Sequence, residues 1–199
     1  MKKHVNKVAS SCFYHLRRLR QLRCYVDQEV MTRLVMSLVI SRLDYCNTVL
    51  AGLPASTVAP LQRAQNAAAR LVLGLDRRSH IKPALKRLHW LPVHFRIIYK
   101  IATLMHSVLH RRCPQYLLDI ISFNDGTGRR CLRSTTTRAA VVQRTRTQLG
   151  HRAFSVCGPT IWNSSPKTLR LTDNFAQFRR LLKTHLFNYL TIVKFNLFV

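Results

Sequence analysis

Apolar residues recur every three to four positions over most of this chain, which is the spacing of amphipathic α-helices. The first such stretch covers residues 4–24. Its apolar stripe consists of Val5, Val8, Cys12, Leu16 and Leu19. The opposite face carries Lys7, Tyr14, Arg18 and Gln21. The pattern predicts a first helix with one buried face and one cationic face.

A second apolar stretch begins after Asp27, a residue type suited to cap a helix. It continues to Gly52 and Pro54, and only Arg33 and Arg42 interrupt it. Its apolar positions are Val30, Leu34, Leu38, Val39, Leu43 and Cys46. We expect this stretch to form the most buried helix of the chain.

A third helix is predicted from Ser56, as its cap, to Gly74, which suits a left-handed helix end. Pro60 is compatible with it if this residue falls in the first turn. The predicted apolar stripe consists of Leu61, Ala64, Ala68 and Val72. Arg63, Asn66 and Arg70 lie opposite.

The rest of the chain is less uniform. Residues 75–92 form a basic joint, and residues 93–110 have helical spacing at Ile97, Ile101, Leu104 and Val108. The pattern then predicts a short helical turn at 114–120 and a loop at 122–130. Threonine and valine enrichment between Cys131 and Cys157 predicts a small β-hairpin. A final helix starts at Thr172 or Asp173, so the predicted fold is mainly α.

The charge balance is strongly positive. The 199 residues include 33 Lys and Arg against 7 Asp and Glu, for a formal net charge of +26, while 47% of residues are hydrophobic. The apolar content indicates a globular chain, not a disordered basic tail. Seven scattered acids leave few carboxylates for a two-metal site or an acid–base pair. The expected partner is phosphate, because arginine favours bidentate phosphate contacts.

The cysteines and apolar runs indicate an intracellular protein, in the nucleus or cytoplasm. No two of the six cysteines form a C-x-x-C pair, so a zinc ribbon is not expected and the thiols are predicted to be free. No apolar run reaches the ~18–20 residues of a membrane span. Residues 1–26 contain no acid and also fit a mitochondrial presequence, which stays an alternative.

Catalytic and metal sites are weakly indicated. His106, His110 and Cys113 share one helix face and could supply three zinc ligands, but no fourth ligand has suitable spacing. The alternative is three exposed polar residues. The sequence has no nucleophile elbow and no glycine-rich phosphate loop. We therefore predict no catalytic residue, metal, cofactor or small-molecule substrate.

Basic clusters with a nearby aromatic residue are the better-supported candidate site. Tyr14 could stack on an unpaired base while neighbouring cations hold phosphates. The predicted nucleic-acid contacts are Lys7, Tyr14, Arg18, Arg63, Arg70, Arg77, Arg78, Arg144 and Arg146. Trp162, in the run 158–163, is expected to anchor the core with its indole N–H on a carbonyl, and residues 88–92 are likewise assigned a structural role.

Four segments resemble a known family. They are SRLDYCNTVLAGLP (41–54), LQRAQNAAARLVLGL (61–75), LHWLPVHFRIIYKIATLMH (88–106) and RTRTQLGHRAFSVCGPTIWNSSP (144–166). In order and content they are similar to the downstream part of the reverse transcriptase of non-LTR (LINE-type) retrotransposons, in the jockey and chicken-repeat-like group. Together with the first helix, the resemblance spans about residues 4–190.

The resemblance implies a division of the chain. Residues 1–74 would correspond to a helical, thumb-like region that grips the template–primer duplex. Residues 75–190 would be the C-terminal domain of the element's protein, which helps to hold RNA or DNA. Residues 191–199 match nothing in the family.

The departures from the family concern catalysis. The polymerase palm holds two metal ions on an Asp-Asp motif, and this sequence contains no Asp-Asp pair. Ser165 replaces the leucine of the family's Trp-Asn motif. We expect a non-catalytic fragment of a decayed reading frame, originally packed against a palm. The alternatives are a helical protein-interaction or structural module and, third, a self-contained enzyme.

Overall fold

A computed structural model describes residues 1–124 and 137–192, with side chains as far as Tyr189. The fold is mainly α, as predicted. In these two ranges no β-strand forms, and the only extended pairing is an isolated antiparallel bridge between Phe123 and Ala140. The chain divides into two compact units, whose described parts are Met1–Arg96 and Ile97–Ile192.

The helices of unit 1 include two long ones, α1 and α4. The elements are α1 (Lys2–Leu22), α2 (Gln28–Val35), a π-helical turn (Met36–Ile40), α3 (Ser41–Asp44), a 3₁₀ turn (Asn47–Leu50), α4 (Ala55–Leu73) and α5 (Ile81–Arg87). Helix α6 (Val93–Leu109) begins in unit 1 and continues in unit 2. The predicted division at residue 74 follows the end of α4, inside unit 1, and stays a prediction about homology.

Helix α1 packs against α4, and its buried stripe is almost the predicted one. Val5, Ala9, Cys12, Leu16 and Leu19 are buried. The prediction succeeds because polar residues fill the remaining positions, so only one face of α1 can enter the core.

The second helix is capped as predicted, and its buried face is predicted only in part. The Asp27 carboxylate accepts a 2.8 Å hydrogen bond from the Val30 N–H. Val39 and Leu43 are buried as predicted, whereas Val30 and Cys46 are exposed. The other buried positions are Met31, Val35 and Ile40. Apolar residues surround this stretch, and the π-helical turn adds a residue to the spacing, so a regular 3.6-residue period assigns only part of the buried face.

Helix α4 ends as predicted but begins earlier. Gly74 adopts φ +64° at its C-terminus, and the Leu75 N–H reaches back to the Arg70 carbonyl at 2.9 Å. The N-cap is Pro54, not Ser56, so Pro60 falls beyond the first turn inside the helix. The predicted joint after Gly74 contains helix α5.

A buried polar network ties α4 to the start of α6 within unit 1. The Gln65 side chain, fully buried, donates from Nε2 to the Leu91 carbonyl at 2.8 Å. The Gln62 Oε1 accepts from the Val93 N–H at 2.9 Å, at the first residue of α6. Arg96 also donates to the Leu91 carbonyl and pairs with Asp44 at 2.5 Å. These bonds satisfy polar groups that burial would otherwise leave unpaired.

Unit 2 is built around one large aromatic residue. Its further helices are α7 (Gln115–Ile120), α8 (Gln148–His151), α9 (Phe154–Ser164), α10 (Lys167–Arg170) and α11 (Phe175–Ile192). Trp162 on α9 is fully buried beside Phe178 on α11. Its indole N–H donates to the Arg138 carbonyl at 2.8 Å, which confirms the predicted anchoring role. Trp90, in unit 1, is also buried.

Two expectations for this half of the chain are wrong. The hairpin between Cys131 and Cys157 is not supported: residues 141–147 are irregular and α8 and α9 occupy 148–157, while residues 131–136 lie outside the described part. Strand propensity depends on a partner strand to pair with, and a short Thr-rich run does not supply one. The last helix begins at Phe175, not at Thr172 or Asp173, and the Oδ1 of Asn174 accepts from the Gln177 N–H at its start.

Candidate nucleic-acid interface

Three predicted contact residues lie together on the exposed side of α1. Lys7, Tyr14 and Arg18 are spaced by seven and four residues, and all three are exposed. The Arg18 guanidinium carbon lies 5.7 Å from the centre of the Tyr14 ring, at cation–π distance. We call these three residues the α1 face. It offers an aromatic ring for base stacking next to two cations.

Three predicted arginines meet in a cleft of unit 1. Arg63 and Arg70 come from α4, and Arg78 comes from the segment that follows it. The cleft has a volume of about 570 Å³ and contains no Asp or Glu among its lining residues. We call it the Arg70 cleft. Its other lining residues are Ser56, Ala59, Gln62, Asn66, Ser79, His80 and Ile81.

Arg70 stabilises the side of the cleft that is formed by Arg78 and Ser79. Its Nη2 donates to the Ser79 carbonyl at 3.1 Å, which fixes the segment after Gly74 against the last turn of α4. Its Nε is buried and has no hydrogen-bond partner in the described part of the chain. An unpaired buried donor of this kind is costly.

Arg77 is exposed but does not line the cleft. The structure therefore unites three of the four predicted arginines of this region. The participation of Gln62, Asn66 and Ser79 was missed. For Asn66 a signal existed, since it shares the polar face of α4 with Arg63 and Arg70.

The last two predicted contacts line a groove in unit 2. Arg144 and Arg146 are exposed and border a cavity of about 870 Å³, although the segment that carries them is not a strand. His151 lies in the same groove, with its Nδ1 3.1 Å from the Thr145 hydroxyl. The Thr147 hydroxyl caps α8 by accepting from the Gly150 N–H. The lining residues again include no acid.

Four of the seven acids of the chain are engaged with residues outside the predicted contacts. Glu29 pairs with Arg33 at 2.6 Å, and Asp173 pairs with Arg138 at 2.5 Å. Asp44 pairs with Arg96, and Asp119 accepts from Gln115. Over residues 1–124 and 137–192, no ion pair includes any of the nine predicted contact residues. Their charge is left uncompensated by the part of the chain that the structure describes.

The suspected zinc ligands do not form a metal site. His106 is fully buried, not exposed, and its Nε2 lies 2.9 Å from the Thr172 carbonyl. His110 lies 3.9 Å from Asp173, and Cys113 borders a different cavity with Asp119. Within the described ranges no three His, Cys, Asp or Glu side chains are grouped to hold a metal ion. Met105 and Val108, apolar residues close to His106 in the sequence, are buried too, so this part of α6 belongs to the core.

Burial dominates the protonation of these histidines. It lowers the pKa of His106, against a smaller opposing effect of the hydrogen bond to Thr172. It also lowers the pKa of His110, with Asp173 opposing. Both imidazoles are thus biased toward the neutral form.

The described cysteines are free thiols, as predicted; Cys131 lies outside the described residues. Cys12 belongs to the core of unit 1, and burial raises its pKa to about 11. Such a thiol is protonated near neutral pH and is a poor nucleophile.

Among the described helices, none combines the length and the apolar character required to cross a bilayer. No protein-family model matches this chain, and no curated protein or solved structure is similar to it.

Proposed function

We propose that this chain is a non-catalytic, nucleic-acid-binding part of a LINE-type reverse transcriptase. In this proposal residues 1–74 are the thumb-like helical region and residues 75–190 the C-terminal domain. The partner is RNA or DNA, held by its phosphate backbone in the nucleus or cytoplasm. Catalysis is excluded from the proposal because the sequence has no Asp-Asp pair for the polymerase metals.

The Arg70 cleft is the observation that carries the proposal. Three arginines from two segments face one acid-free cavity, and one of them keeps a buried, unpaired N–H. Arginines kept only for solubility have no reason to converge. The convergence instead suits a ligand with several negative oxygens.

The α1 face and the groove of Arg144 and Arg146 add further cationic surface. Each belongs to a described unit with its own core, so the proposal does not depend on how the units are arranged. The aromatic ring of Tyr14 favours contact with unpaired bases. A net charge of +26 adds long-range attraction for any polyanion.

The competing proposal is a helical protein-interaction or structural module. Its basic surface would bind acidic proteins or only keep the chain in solution. Exposed aromatic residues away from the cationic surfaces, such as Tyr25 and Tyr116, are the observation in its favour.

A salt titration with single-stranded RNA separates the two proposals. Six to ten phosphate contacts should weaken binding by about 10³–10⁵ between 50 and 200 mM salt. Each charge-removing substitution among the nine residues should lower the salt slope by about one. Weak binding that hardly depends on salt would refute the nucleic-acid proposal and favour the interaction module. Nucleotide incorporation with Mg²⁺ would instead refute the non-catalytic assignment.

A further inference from the structure

The unused hydrogen-bonding groups of the Arg70 cleft are mostly donors. Arg63 and Arg78 form no hydrogen bond or ion pair within the described residues, so their guanidinium N–H groups remain available. The Arg70 guanidinium also lines the cleft, but its Nε–H is shielded from solvent. The cleft therefore presents free donors from Arg63 and Arg78 toward one space.

Three acceptors near this space already accept hydrogen bonds from the chain. The Gln62 Oε1 accepts from the Val93 N–H at 2.9 Å, and the Asn66 Oδ1 accepts from the Gln62 Nε2 at 2.8 Å. The Ser79 carbonyl accepts from Arg70. The amide N–H groups of Asn66 remain available as further donors, because only its Oδ1 takes part in this network. A ligand that fits must supply acceptors and negative charge, and phosphate oxygens supply both.

The shape of the cleft restricts the form of the nucleic acid. Its volume of about 570 Å³ falls within the roughly 300–1,000 Å³ of small-ligand sites. That space accommodates roughly one or two nucleotides of a strand, but not a double helix, whose major groove alone is about 12 Å wide. The phosphates of a duplex lie on a convex surface, whereas an isolated strand can bend its backbone into a cavity.

We infer that the Arg70 cleft binds adjacent phosphates of a single-stranded nucleic-acid segment and discriminates against duplex. This inference rests on the proposed function and makes it specific for one site and one form of the ligand. The template–primer duplex expected of a thumb-like region is then held by the other cationic surfaces, such as the α1 face. Arg70 is the positioning element, because its bond to Ser79 sets the cleft wall. Arg63 and Arg78 supply the remaining contacts.

The test uses the full chain and a labelled oligothymidylate, compared at equal phosphate concentration with a blunt hairpin duplex long enough to stay base-paired. Binding is measured at 50 mM salt. We expect the single strand to bind tighter than the duplex, and the double variant Arg63→Gln/Arg78→Gln to weaken single-strand binding by at least about tenfold. The matched control Lys86→Gln/Arg87→Gln removes two exposed charges of α5 that do not line the cleft. It should cost much less.

A second variant separates geometry from charge. Arg70→Lys keeps the charge but removes the Nε–H and the guanidinium fork, so it should lose about as much single-strand affinity as Arg70→Gln. The Nε–H resonance of Arg70 in wild-type protein should shift on addition of the oligonucleotide. Thermal unfolding of each variant controls for loss of the bond to Ser79, and the Arg63→Gln/Arg78→Gln result does not depend on that bond.

The outcomes distinguish this inference from the proposed function. If wild-type protein ignores RNA and DNA at low salt, both are wrong. If it binds with a steep salt dependence, but the cleft variants lose no more than the α5 control, only the cleft assignment is wrong. Equal affinity for duplex, with equal loss in the cleft variants, also overturns the single-strand assignment.

Discussion

The imidazole of His106 stacks on the ring of Phe178, with the ring centres 4.3 Å apart and the planes inclined by 25°. Its Nε2 donates to the Thr172 carbonyl, so the unprotonated Nδ1 faces the core, where it is buried without a partner. A proton on Nδ1 would place a charge among aromatic residues. The charged and titratable groups that act on this ring are His110, Arg112 and Asp173.

This relationship predicts that acid destabilises unit 2. Because the folded-state pKa values of His106 and His110 are lowered, the unfolded chain binds more protons than the folded one as pH falls below about 6.5. The histidine contribution is fully present above that pH and is lost toward the folded-state pKa values. We expect the free energy of unfolding to fall from pH 7.5 to pH 5. In a Trp90→Phe background Trp162 is the remaining tryptophan. Its fluorescence during urea unfolding therefore reports the free energy of unfolding of unit 2.

The control for this prediction is His106→Gln. Glutamine can still donate to the Thr172 carbonyl but does not titrate, so the variant should be less stable at pH 7.5 and should show a shallower pH dependence. An unchanged pH dependence would mean that His106 is not the titrating group.

The indole hydrogen bond of Trp162 should be measurable by substitution. Trp162→Phe removes the N–H that satisfies the Arg138 carbonyl and leaves a small cavity. We expect a loss of about 2–4 kcal/mol in the free energy of unfolding, followed by far-ultraviolet circular dichroism in urea. Trp90→Phe is the matched control, since the structure gives the buried Trp90 indole no hydrogen bond within residues 1–124 and 137–192. Equal losses would show that the bond to Arg138 contributes nothing.

The left-handed backbone at Gly74 predicts a strain penalty. Gly74→Ala adds a Cβ to a residue with φ +64°, and this Cβ would lie 3.3 Å from the Nη2 of Arg23. The same Arg23 side chain caps α4, because its Nε donates to the Leu71 carbonyl. Unit 1 should lose about 1–2 kcal/mol of stability. Gly74→Asn should recover part of this loss because asparagine tolerates the left-handed region. If thermal unfolding ranks alanine as stable as glycine, the φ value does not describe the protein in solution.

Tyr14 should contribute to binding through its ring and not through its hydroxyl. Tyr14→Ala is expected to weaken binding of single-stranded RNA by roughly 1–3 kcal/mol, whereas Tyr14→Phe keeps most of the affinity. Fluorescence anisotropy at fixed salt measures both. Tyr25→Ala is the control, because Tyr25 is more exposed but lies beyond the end of α1. Equal effects of the two alanine variants would exclude a specific stacking role for Tyr14.

How well the sequence predicted each element depended on the contrast between its faces. In α1 the alternation is sharp, and the buried residues were predicted almost completely. Around Met36–Ile40 apolar residues occur on every side, so the face turned inward is chosen by packing and by the π-helical turn. His106 was predicted to be exposed but is buried, for a related reason. Its polar side chain can enter the core because the Thr172 carbonyl accepts its hydrogen bond, and Thr172 is 66 residues away in the sequence.

The sequence alone determined the helical character of the chain, the amphipathic α1, the caps at Asp27 and Gly74, and the excess of arginine over acid. These features depend on residue type and on spacing within one helix, where neighbours are at most a few positions apart. Only the tertiary structure decided that Arg63, Arg70 and Arg78 share a cleft while Arg77 does not, and that the amide oxygens of Gln62 and Asn66 already accept hydrogen bonds there. That outcome depends on how the chain turns after Gly74 and packs back on α4. The periodicity of a single helix carries no information about that packing.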